Sequence, residues 1–138
     1  MKKILVDLNV LLDFLVKREN HQSAATIVAL CESKKIKGYL ASHEITTLAY
    51  FLRERYKNKT GYRSIINDIL DIFSSVSINE SMLRNALVSK IDDYEDAVIE
   101  QAAIKEKVDY IVTNNISDFK KSIVKYITPK ECLVFLKT

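Results

Sequence analysis

Short apolar runs, Ile4-Leu5-Val6, Tyr39-Leu40-Ala41 and Tyr110-Ile111-Val112, constrain this chain most, because segments with helical spacing separate them. Runs of this length suit strands buried on both faces, which occur in parallel sheets covered by helices. Alternating strands and helices predict an α/β domain with a mostly parallel central sheet and helices on both faces. The 138 residues suit one domain over 1–138, large enough to bury roughly two-thirds of its unfolded surface.

Composition removes several function classes. Only Gly38 and Gly61 supply glycine, so neither a Walker loop nor a Rossmann fingerprint can form. No apolar stretch approaches the ~18 residues of a membrane span. Met1-Lys2-Lys3 leads straight into a strand rather than a signal peptide, so a cytoplasmic protein is expected. Cys31 and Cys132 lie far apart in apolar surroundings without metal-ligand neighbours, which predicts buried free thiols and no zinc. The net charge of +3 tolerates a nucleic-acid partner without demanding one.

Along the chain, residues 3–7 read as the first strand, followed by a short helix that Asp7 or Asn9 could cap. His21 to Lys35 carries a helical apolar stripe, residues 38–41 a strand, and Ser42 or His43 to about Tyr56 a helix. Asn58 to Gly61 reads as a break before a helix marked by Ile65, Ile66, Ile69, Leu70, Ile72 and Phe73. Residues 75–78 suit a short strand, 81–90 and 93–107 two helices, and 110–113 and 124–127 two more strands. A loop spans 113–119, and Thr128-Pro129 starts a last short helix.

Four acids stand in or beside these elements at places where an open α/β sheet collects ligands: Asp7, Glu44, Asp96 and Asp118. Brought to one rim they repel, and a hard cation such as Mg²⁺, which takes oxygen ligands, resolves the conflict. Each also has a plain structural explanation. Asp7 could cap a helix, Asp118 could brace a turn, and Glu44 in a first helical turn is favoured by the dipole alone. Asp93-Tyr94-Glu95-Asp96 has capping-box spacing, which accounts for Asp93 but less well for Asp96, since the reciprocal bond prefers a longer side chain. Thr113 and Asn115 could donate hydrogen bonds to carboxylates, and Asn9 could position a water or ligand. Thr47 competes with Glu44 for an inward position. His43 is expected to pack or hydrogen-bond locally, and its neighbour Ser42 makes no nucleophile–base pair with it. The scattered lysines and arginines, Lys120 and Lys121 among them, suit solvated helix ends or phosphate contacts.

Ile4 to Asp13, the Asp93-Tyr94-Glu95-Asp96-Ala97 helix start and the Val112 to Phe119 segment together resemble the PIN domain, the nuclease fold of VapC-type toxins from bacterial toxin–antitoxin pairs. The likeness covers nearly the whole chain. It implies a three-layer α/β/α fold and Mg²⁺- or Mn²⁺-dependent hydrolysis of single-stranded RNA. By position, Asp7, Asp96 and Asp118 match the family's metal-site acids, and Asn9, Thr113 and Asn115 its polar supports. The usual Thr-Arg-Asn stands here as Thr113-Asn114-Asn115, without the arginine. The second acid of the family aligns either with Glu44 or with Thr47; we place Thr47 in that slot, with Glu44 substituting from one turn away. The resemblance further implies a homodimer and a cognate antitoxin docked over the acidic cleft.

The expected mechanism is attack of a metal-activated water on the scissile phosphate, with Asp7, Asp96 and Asp118, and Glu44 beside them, around one or two ions. A haloacid-dehalogenase-type phosphohydrolase is disfavoured because Asp7-Leu8-Asn9 lacks the second acid of Asp-x-Asp. The remaining alternative is a catalytically weakened PIN-like module that binds RNA or protein without cutting.

Overall fold

Five strands, β1 (Lys3–Val6), β2 (Lys37–Ala41), β3 (Ser74–Val76), β4 (Tyr110–Val112) and β5 (Tyr126–Ile127), form one sheet in the order β3-β2-β1-β4-β5 in a computed structural model describing residues 1–137. Every pairing is parallel, so the sheet is wholly rather than mostly so. The helices are α1 (Leu8–Leu15), α2 (His21–Glu32), α3 (Ser42–Tyr56), α4 (Lys59–Ile72), α5 (Glu80–Ala86), α6 (Tyr94–Glu106) and α7 (Pro129–Leu136). A 3₁₀ turn, Ile116–Phe119, lies where a loop was expected.

Alternation along the central strands feeds two cores. Ile4, Val6, Leu40 and Val112 face a cluster with Leu11, Ile27, Leu48, Leu52 and Ile69. Leu5, Tyr39, Ala41 and Ile111 face the other side, against Val98, Ile99, Ala102, Ala103 and Phe119. Each fully buried aliphatic side chain contributes about 1.5–3 kcal/mol, so this two-sided burial holds the three layers together. Gly38 makes one layer possible: a Cβ there would sit 2.5 Å from Cys31 Sγ and 2.8 Å from the Phe73 ring. Cys31 and Cys132 are both buried and free, as expected. Distant in sequence, they share one core cluster, and burial pushes both thiols up to about 12.

Several boundaries move for local reasons. Lys59, Thr60 and Gly61 belong to α4 rather than to a break, because Asn58 caps it by accepting from the Thr60 and Gly61 amides at 2.9 and 3.4 Å. The helix expected over 81–90 ends at Ala86, where Leu87, Val88 and Ser89 donate to the tighter i−3 carbonyls. Ser77 and Ile78 fall outside β3, and α2 stops at Glu32. Only the second half of the run 124–127 is strand, although the Lys125 carbonyl still accepts from Ile111 at 2.9 Å.

The order of strands decides where a ligand could sit. From β1 the chain steps outward to β2 and β3, then returns to place β4 on the opposite side of β1. The loops leaving β1 and β4 therefore diverge and open a crevice at the carboxyl edge of the sheet. Asp7 follows β1 and Thr113 follows β4. The two strands stay paired to that edge, with the Asp7 amide donating to the Val112 carbonyl at 2.9 Å.

Candidate active site

Asp7 occupies the N-cap position of α1, yet its carboxylate makes no capping hydrogen bond. It turns instead toward Thr113, whose Oγ1 donates to Asp7 Oδ2 at 2.7 Å. The same hydroxyl accepts from the Asn115 amide at 2.9 Å, which commits its proton to Asp7. Burial pushes the Asp7 carboxyl up, and the Asp118 charge adds to this. The bond from Thr113 and the nearby Asn9 and Leu8 amides oppose it. Asp7 thus sits between the amides that open α1 and the Thr113 hydroxyl, and only the latter makes a geometric hydrogen bond to it. Asn9 and Asn115 contribute through their backbone amides.

Glu44 is 1% exposed in the first turn of α3, which directly follows β2. Its Oε1 accepts from the Ala41 amide at 3.0 Å, half of a capping box whose other half is missing because Ala41 has no side-chain acceptor. Its Oε2 is buried without a partner. Burial first, then the Asp7 charge, raises the Glu44 carboxyl well above the usual range, and Glu95 adds to the effect. A buried carboxylate oxygen without a partner costs about 1–3 kcal/mol or more, which the nearby Ala41 and Leu8 amides offset in part. Of the two side chains that compete for the inward position on α3, Glu44 takes it. Buried positions of α3 run Glu44, Leu48, Leu52, whereas Thr47 is exposed and donates to the His43 carbonyl at 3.1 Å.

Asp93 and Asp96 divide their labour. Asp93 caps α6, its Oδ2 accepting from the Asp96 amide at 3.0 Å. Asp96 makes no reciprocal bond and is half-buried beside the other acids. Burial, followed by the charges of Asp7, Asp93, Asp118 and Glu95, lifts its carboxyl to about 7. Asp118 lies exposed on the 3₁₀ turn, its charge felt by both Asp7 and Asp96. It also lines a cleft of about 240 Å³ with Ser117, Lys120 and Lys121.

Four carboxylates from four separate elements thus share one electrostatic field. Glu95 was missed by reading the sequence. Glu95 acts on Glu44, Asp96 and His43, but adjacent acids at a helix start look alike in sequence. His43, expected to pack or hydrogen-bond locally, packs: both ring nitrogens are buried, and burial holds the ring's pKa down against the opposing charge and backbone of Glu95. Chemically, the acids offer hard oxygen donors, a free Glu44 lone pair and mutual repulsion that a divalent cation would relieve. Among the described residues, no three His, Cys, Asp or Glu side chains stand close enough to form a finished cage. Side-chain closure would have to accompany binding.

An open α/β sheet with acids gathered at its switch point defines the architecture, and comparison supplies the family. The PIN domain model matches residues 3–117, and the chain belongs to the PIN domain family. Solved structures with the same fold include a VapBC2 complex of Rickettsia felis bound to a DNA fragment from its promoter. That match has a TM-score of 0.71 and 18% identity and covers 91% of this chain and 98% of that one. A toxin–antitoxin complex from Klebsiella pneumoniae matches with a TM-score of 0.67 and 20% identity, covering 91% and 97%. The Mycobacterium tuberculosis VapC20 toxin, which cleaves the Sarcin-Ricin loop, matches at 0.64 and 14%, covering 88% and 98%. Comparison with curated protein sequences finds no significant match.

Proposed function

We propose that this protein is a divalent-metal-dependent endoribonuclease acting on single-stranded RNA, and the toxin of a type II toxin–antitoxin pair. The observation that carries the proposal is the convergence of Asp7, Glu44, Asp96 and Asp118 in one field, with Glu44 Oε2 left without a partner. Asp7, Asp96 and Asp118, with Glu44 beside them, are the residues to hold Mg²⁺ or Mn²⁺. When bound, such an ion activates water and neutralises charge building on a scissile phosphate.

The chain's own residues prepare that chemistry. Thr113 favours the charged form of Asp7, opposing the burial that raises its pKa, and holds the carboxylate at the sheet edge. Asp93 secures the first turn of α6 and so the direction of Asp96. Asp96, with its pKa near neutrality, changes charge in the pH range where the enzyme would work. Lys120 and Lys121 line the Asp118 cleft, Lys121 3.7 Å from Asp92, and offer cations to phosphate oxygens.

A cognate antitoxin, a homodimeric assembly and a cytoplasmic location belong to the same proposal. That solved relatives in fold include toxin–antitoxin complexes supports the first of these. One observation favours the weakened, non-cutting alternative, namely the lack of a preformed three-acid cage among the described residues. Incubating the purified protein with single-stranded RNA separates the two readings. Cleavage should require Mg²⁺ or Mn²⁺, stop in chelator and disappear in Asp7→Asn. RNA binding with no cleavage under any divalent ion would establish the alternative.

A further inference from the structure

Two consecutive residues after β4 reach two points on α1. Thr113 donates to Asp7 at the helix start, and Asn114 Nδ2 donates to Asp13 Oδ2 farther along. Asp13 is 6% exposed, and an isolated charge there would be costly. Its other oxygen, Oδ1, faces Arg18 Nη1 at 3.8 Å. Burial pushes the Asp13 carboxyl up, while Arg18 and then Asn114 pull it back. Arg18 sits in the turn between α1 and α2, its side chain 43% exposed.

This pair is a poor structural clamp. It is long, is recorded through one guanidinium nitrogen and belongs to a side chain 43% exposed, where such a contact is worth about 0–1 kcal/mol. It is a good means of orientation, because the guanidinium fork matches phosphate oxygens. Next to it, Asn114 lines an open cleft of about 150 Å³ with Asn20, Ser23, Thr128, Pro129 and Lys130, a lining with one cation and no carboxylate.

We infer that Arg18, linked through Asp13 and Asn114 to the loop that follows β4, contacts a backbone phosphate of the bound RNA strand. The inference rests on the ribonuclease reading. Asp13 and Asn114 are positioning residues, and Arg18 is the substrate contact.

The test is binding of a fluorescent single-stranded RNA oligonucleotide in chelator over a salt series, for wild type, Arg18→Gln and Arg18→Lys. Removing one phosphate contact should lower the slope of log affinity against log salt by about 0.7 and weaken binding about fivefold at 0.1 M salt. Arg18→Lys keeps the charge and should keep the slope. In cleavage assays, Arg18→Gln should raise KM with kcat unchanged, and its melting temperature should match wild type. A wild-type slope in Arg18→Gln, or a slope in Arg18→Lys as low as in Arg18→Gln, would overturn the assignment while leaving the nuclease reading intact. Wild-type protein that neither binds nor cleaves RNA would remove both.

Discussion

The Thr113 hydroxyl donates to Asp7 at 2.7 Å across 106 residues of sequence, at the point where β1 and β4 end side by side. This bond joins fold to site, because parallel pairing of the two strands brings the partners together and the bond opposes the burial that raises the Asp7 pKa. Replacing Thr113 with Val keeps the shape and removes the donor. A buried Asp7 oxygen then loses its partner, at a cost of about 1–3 kcal/mol, and cleavage should fall about 10–100-fold. Urea unfolding and RNA cleavage of Thr113→Val measure the two effects.

Glu44→Gln separates stability from function. The amide side chain can still accept from the Ala41 N–H but no longer carries a charge beside Asp7. The metal-free variant should melt higher than wild type, while its cleavage rate falls at least tenfold. Thr47→Ala, at an exposed position, should change stability by less than about 0.5 kcal/mol and leave cleavage near wild type. The opposite ranking would return the acid slot to Thr47.

Metal-free protein should lose stability as pH rises. Asp96 ionises near 3.8 when free of the fold and at about 7 within it. Between those values the unfolded chain binds fewer protons, so stability declines from about pH 4 toward pH 7, and Asp7 and Glu44 act in the same direction. Glu131, lowered by the Thr128 amide, has the opposite sign at the acid end of the range, and His43, lowered by burial, adds stability as pH rises toward 6.5, one group against the three raised acids. Thermal melts in chelator should give a lower Tm at pH 8 than at pH 5, with Mn²⁺ recovering the difference. A Tm that climbs steadily from pH 5 to 8 would contradict the shared field.

Gly38→Ala tests the layer beneath β2. The new methyl would meet Cys31 Sγ and the Phe73 ring, both buried and hemmed in by α2 and α4. Overpacking of this kind costs about 1–3 kcal/mol, readable as a lower urea midpoint without a change in slope.

Much of this was legible before the coordinates. Short apolar runs separated by helical stripes report a buried parallel sheet because both faces of each strand must be covered. Asp7, Asp96 and Asp118 could be picked out because each follows or opens an element at one predicted rim. What stayed hidden depends on helix rotation and on distance through space. Glu44 and Thr47 lie a turn apart, and only the packing of Leu48 and Leu52 shows which faces inward. The meeting of Cys31 with Cys132 and the Asp13–Asn114 bond join residues whose proximity no spacing encodes, and the burial of the His43 ring depends on the same packing. Asn58 looked like a loop residue because capping and breaking use the same side chains.

Calorimetric titration of Mn²⁺ into wild type and Asp7→Asn/Asp96→Asn, near pH 7.5, tests the central claim most directly. A saturable site in wild type, accompanied by proton release and absent from the double variant, is the predicted result. Equal binding by both proteins, or no saturable site in wild type, would contradict it.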